Sequence, residues 1–163
     1  FKEYKIEDKD TGKLKMRMDI IPVSLALAQA ANESGWGTSR FALEGNALFG
    51  QWTWSKKGIS PKNKDPNKTH KVLQFQILKA SVKAYKNNLN THNAYREFRE
   101  ARAKLRQEGK RIVGLDLSKH IKNYASIGEK YVEIIESIIL KNSLTDFDKA
   151  NLLPIKSKKG VDL

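Results

Sequence analysis

A mainly α domain with one small β excursion is the fold class that this sequence predicts, and three observations predict it. Residues 23–31 are almost wholly apolar, three later segments repeat apolar residues at steps of three and four, and β-favouring residues cluster only in residues 49–54 and 72–75. At 163 residues, 39% of them hydrophobic, the chain is long enough for one core and too short for two full domains.

Residues 1–19 are charged, and Thr11-Gly12 reads as a turn, so a lead-in arm with little core is expected there. The main domain is expected over residues 20–144. Pro22 suits a first helical position, and Val23, Leu25, Ala26, Leu27, Ala28, Ala30 and Ala31 are apolar on every side, which predicts a buried helix. Gly35 and Gly37 end that helix and leave Glu33 at its C-terminal end. Residues 38–44 predict a short helix closed by Gly45. Phe49, Gln51, Trp52, Thr53 and Trp54, with Val72, Leu73, Gln74 and Phe75, then predict a two-stranded ribbon around a long basic loop. Trp52 and Trp54 would share one face of it.

Helical periods return after the ribbon. Leu78, Val82, Tyr85 and Leu89 form one stripe; Ala94, Phe98, Ala101 and Leu105 form a second; Tyr131, Ile134, Ile135, Ile138 and Ile139 form a third. Gly109 caps the second helix, and residues 116–124 predict a shorter one before the third. Residues 145–163 are polar with Pro154, which predicts a tail that is packed on the domain as a strap or flexible.

Charge narrows the partners. Lys and Arg outnumber Asp and Glu by 31 to 18, a formal +13, so a polyanion is expected: nucleic acid, anionic lipid or an anionic cell-wall polymer. The basic stretch from Arg96 to Arg111 reads as a solvated helix face that also concentrates such a polymer, but no nucleic-acid-binding motif accompanies it. With no cysteine, thiol catalysis and disulfides are excluded. His70, His92 and His120 lack metal-ligand spacing and no glycine-rich phosphate loop is present, so neither metal nor cofactor is expected. No apolar run approaches the roughly 18 residues of a membrane span. The chain opens on Phe1 rather than Met, which fits removal of an N-terminal signal or anchor.

Acids are scarce where chemistry is expected, for residues 20–96 hold only Glu33, Glu44 and Asp65. A carboxylate where an apolar helix meets a surface is partly desolvated, and the negative end of the helix dipole acts in the same direction, so its pKa rises. Such a carboxyl can donate a proton to a leaving oxygen, although a glutamate so placed is more often simply solvated.

The strings "AQAANESGWGTSRFA" and "GNALFGQW" resemble the glucosaminidase-domain family of bacterial peptidoglycan hydrolases, which includes the flagellar rod-associated hydrolase and staphylococcal autolysin glucosaminidases. "ASVKAYKNNLNTHNAYREFREAR" and "YASIGEKYVEIIESII" are similar to its Bax-type branch, and the resemblance spans about residues 19–140. It implies a lysozyme-like α+β fold with a small β-hairpin lobe flanking a cleft, and hydrolysis of the β-1,4 bond after N-acetylglucosamine. Glu33 matches the general acid. Tyr124 matches the tyrosine that opens the family's Tyr-Ala-Thr-Asp-Pro-x-Tyr, here with Ser126-Ile127-Gly128 in place of Thr-Asp-Pro.

Asp65, in the basic loop, and the substrate's own 2-acetamido group are level candidates for the second catalytic group, with Glu44 behind them. Trp36 and Phe49 are candidate cleft walls; Asn46, which also suits a turn, and Trp52 are candidate sugar contacts. The expected partners are peptidoglycan strands and the anionic wall surface, met by a monomer in the periplasm or cell envelope. A non-catalytic glycan-binding module of the same fold is the alternative.

Overall fold

The computed structural model describes residues 1–53, 58–60 and 71–151, with only the backbone of Trp52. The helices are α1 (Thr11–Arg17), α2 (Val23–Ser34), α3 (Arg40–Gly45), α4 (Leu78–Thr91), α5 (Arg96–Gln107), α6 (Gly114–Ser118) and α7 (Glu129–Lys141). Four 3-10 segments accompany them: Lys2–Tyr4, Asn93–Tyr95, Lys119–Tyr124 and Leu144–Lys149. The strands β1 (Trp52–Thr53), β2 (Gly58–Ile59) and β3 (Lys71–Leu73) form an antiparallel sheet in the order β1-β3-β2. The expected pairing of the two ends of the basic loop is present, with Trp52 opposite Val72, and Gly58–Ile59 adds a strand on the other side of β3.

The mainly α, lysozyme-like arrangement places α2 against α6, α7 and the 3-10 segment Leu144–Lys149. Leu25 and Ala28 of α2 meet Leu117, Ile121, Tyr131, Ile135 and Ile139 in one continuous core. The predicted stripes of α4, α5 and α7 bury Tyr85 and Leu89, Phe98, and Tyr131, Ile135 and Ile139 respectively.

α2 is not buried on every side, contrary to its composition. Val23 and Leu27 are 44% and 40% exposed, because α2 packs through the Leu25, Ala28 and Gln29 face and turns the other outward. Pro22 precedes the helix in an extended conformation, one position earlier than expected. Thr11-Gly12 opens α1 instead of making a turn, since Asp10 caps that helix by accepting from Lys13 N at 3.0 Å.

Long-range polar contacts hold the N-terminal segment and the described residues near Asp148 to the core. Arg17 donates to the carbonyls of Tyr4 and Lys5 at 2.8 and 2.9 Å. Arg102, fully buried, donates to the carbonyls of Ile20 and Met16 at 2.6 and 2.8 Å. Arg99 donates to the carbonyls of Leu89 and His92 at 3.0 and 2.8 Å, capping the end of α4. The central arginines of the basic stretch are therefore internal fasteners, not a solvated face. Near the other end, Asp148 accepts from Ser24 N, Ser24 Oγ and Gly114 N at 2.9, 2.6 and 3.1 Å, so the tail is docked at least that far.

Candidate active site

Glu33 occupies the last turn of α2, and the residues after it explain how an acid is exposed there without unravelling the helix. Ser34 Oγ donates to Ala30 O at 2.6 Å and accepts from Gly37 N at 2.8 Å. Gly35, Trp36 and Gly37 then take three successive positive φ angles, 57°, 57° and 78°, and reverse the chain. Left-handed backbone is ordinary for glycine but disfavoured for a bulky L-residue such as Trp36.

One oxygen of Glu33 is engaged within the protein. Oε1 accepts from Tyr131 OH at 2.9 Å and from Asn32 Nδ2 at 3.2 Å. Behind it runs an ordered line of donors: Tyr85 OH to Gln29 Oε1 at 2.7 Å, Gln29 Nε2 to Tyr131 OH at 2.9 Å, and Tyr131 OH to Glu33. Oε2 lies beside Gly50, where a Cβ would come within 3.0 Å of it. Gly50, with φ at 56°, thus meets both of glycine's local demands, left-handed backbone and close approach.

A cavity of about 370 Å³ opens over this carboxyl, lined by Phe49, Gly50, Tyr95, Tyr124 and Ser126 among others. Phe49 stacks on Tyr85 with ring centroids 3.9 Å apart, and Tyr124 stacks on Tyr131 at 5.6 Å. Removal of water raises the pKa of Glu33 above its ordinary value, and the hydrogen bonds from Tyr131 and Asn32, which favour the charged form, only partly offset the shift. Burial likewise raises the neighbouring phenols, with Tyr95 pushed up to about 12 and Tyr124 and Tyr131 well above their usual range. The tyrosines stay neutral beside Glu33, the only carboxyl among the described lining residues.

The residues nominated by sequence divide clearly. Glu33, Phe49 and Tyr124 meet in the cavity. Tyr124 OH donates to the carbonyl of Phe49 at 3.0 Å, so it braces the segment that carries Gly50 and does not bond Glu33. Trp36 lies outside the cavity lining and is 64% exposed; the desolvation of Glu33 comes instead from the Phe49 and tyrosine walls. Asn46 ends α3 in a left-handed turn and donates to Phe75 O at 3.0 Å, which ties the sheet to the helices.

Glu44 pairs with Arg40 at 3.5 Å, its side chain 59% exposed, and does not line the cavity. Asp65 and the Trp52 side chain lie outside the described residues. Among the described residues, Glu33 is the only carboxylate lining the cavity, and no group of His, Asp and Glu could hold a metal ion. Tyr131, Gln29 and Gly50 complete the site. Tyr131 closes the string "YASIGEKY", the one sequence signal that pointed to it.

Residues 9–144 match the family described as mannosyl-glycoprotein endo-beta-N-acetylglucosaminidase. The chain is 40% identical over 115 residues to "Protein bax" of Escherichia coli (strain K12), an alignment covering 71% of this chain and 40% of that protein. The chain therefore spans well under half the length of this relative. No solved structure matches.

Proposed function

The chain belongs to the mannosyl-glycoprotein endo-beta-N-acetylglucosaminidase family, and we propose that this member hydrolyses the β-1,4 bond after N-acetylglucosamine in peptidoglycan, with Glu33 as general acid. One observation carries the reading. The carboxyl has its pKa raised by burial, is anchored through Oε1, and keeps Oε2 on the Gly50 side beneath a cavity.

In the proposed reaction Glu33 gives its proton to the glycosidic oxygen as the bond from that oxygen to the anomeric carbon breaks, so the departing sugar leaves as a neutral alcohol. Charge on the sugar is then met by Asp65 or by the substrate's 2-acetamido oxygen. The second route is favoured over Glu44 by the presence of a single carboxylate among the described lining residues. Water completes the hydrolysis after delivering a proton to the Glu33 carboxylate, which restores the acid. Aromatic walls suit the apolar faces of sugar rings, and the +13 charge favours an anionic wall polymer in the cell envelope.

Zymography on purified peptidoglycan, comparing the chain with Glu33→Gln, tests the assignment. Clearing by wild type alone is expected, and mass spectrometry should find N-acetylglucosamine at the new reducing ends. Equal clearing by both proteins removes Glu33 from the mechanism. Saturable glycan binding without new reducing ends would establish the non-catalytic module instead.

A further inference from the structure

Gln51 and Asn88 bound one side of the Glu33 cavity. These two side chains also line a larger one of about 630 Å³ that runs along α4 to the N-terminal turn. Lys83, Asn87 and Asn88 belong to one stripe of α4 facing it, while Tyr85 and Leu89 point into the core. The opposite wall is Glu3 and Lys5. That wall is fixed, because Asn87 Nδ2 donates to Glu3 O at 3.0 Å, Lys83 pairs with Glu3 at 3.3 Å, and the carbonyl of Lys5 is held by Arg17 at 2.9 Å.

The chemistry of the groove differs from that of the Glu33 cavity. Three carboxamides offer donors and acceptors of the kind that sugar hydroxyls and acetamido groups use. Two ammonium groups face one carboxylate, which is already engaged with Lys83, and Lys5 has no ion pair among the described residues. The balance is positive, and the groove adjoins the Glu33 cavity at Gln51 and Asn88.

We propose that this groove is a second binding site, which takes a carboxylate-bearing, peptide-substituted stretch of the same glycan strand beyond the sugar held at Glu33. It rests on the reading of the chain as a peptidoglycan hydrolase. Residues 1–5 thereby become part of the substrate groove.

Calorimetric binding of soluble glycan fragments, with and without their peptides, to the wild-type chain tests this without needing turnover. The peptide-bearing fragment should bind up to about fivefold more tightly, the upper scale of one net exposed ion pair, and the preference should shrink as salt rises. Lys5→Met with Lys83→Met should abolish the preference while leaving binding of the bare fragment intact. Lys5→Arg with Lys83→Arg should keep it, and so should removal of Lys104 and Lys141, which lie outside the groove.

No preference in wild type overturns the proposal, as does a preference that survives in the Lys5/Lys83 methionine variant or is lost equally with Lys104 and Lys141. A preference that behaves as expected in a chain releasing no reducing ends would leave the groove standing while the hydrolase reading falls.

Discussion

The hydroxyl of Tyr131 lies 2.9 Å from Glu33 Oε1 and is itself held at 2.9 Å by Gln29 Nε2, so the donor that tunes the acid is fixed from both sides. Because this bond favours the charged carboxylate, Tyr131→Phe should raise the pKa of Glu33 further. Activity that requires the protonated acid falls as pH climbs through that pKa, so the alkaline limb of the kcat profile should move to higher pH. Gln29 loses its buried acceptor in the same variant, at a cost of about 1–3 kcal/mol. A pH–rate profile together with urea unfolding separates the two effects, and an alkaline limb that stays in place would deny Tyr131 its tuning role.

Glu33 also makes a prediction about stability that does not depend on the reaction. Its folded pKa is raised above the ordinary 4.5, so between the unfolded and folded values the native state binds more protons than the unfolded state. Stability contributed by the protonated group is then fully present below the unfolded pKa and is lost as pH rises through the folded one. Glu33→Gln should therefore be more stable than wild type at pH 7, with the gap narrowing as pH falls through the raised folded pKa and closed below the unfolded value of 4.5. Thermal unfolding across this range reads it directly, and a variant less stable at neutral pH would contradict the desolvation argument.

These two residues also show where sequence reasoning reaches and where it stops. Glu33 was legible because an acid after an apolar helix, before Gly-Trp-Gly, breaks a local pattern. Tyr131 was marked only as the end of "YASIGEKY", because it otherwise fits a pattern, a stripe with Ile135 and Ile139 whose other members are plain core. Gln29 carries no mark in the sequence of the hydroxyls of Tyr85 and Tyr131 that meet it from distant helices. Arg99 and Arg102 were misread for the same reason. A run of basic residues on an amphipathic helix carries no mark of the carbonyls of Met16, Ile20, Leu89 and His92 that it will meet. Periodicity identifies a face, whereas the partners of that face depend on tertiary contact.

Gly50 tests how closely the acid is confined. Gly50→Ala would set a methyl carbon 3.0 Å from Glu33 Oε2 and impose a φ of 56° on an L-residue. The backbone term costs about 1–2 kcal/mol, and displacement of the proton-bearing oxygen should lower kcat by about tenfold or more. Turnover of a short uncharged oligosaccharide, read beside the melting temperature, distinguishes the contributions. Unchanged kcat in a folded variant would mean that Oε2 is not the working oxygen.

Trp36 breaks a rule of local structure with little packing in return, since its ring is 64% exposed and its φ is 57°. Asparagine tolerates left-handed backbone far better, so Trp36→Asn should stabilise the fold by up to about 1 kcal/mol, less whatever contact the indole makes. A strained aromatic beside the helix that carries the proposed acid is the pattern expected where conformation is held for ligand contact. The same variant should therefore bind long glycan strands more weakly while its melting temperature stays level or rises. If binding is unaffected and the melting temperature falls, the indole serves the fold alone, and the exposed ring has no part in holding sugar.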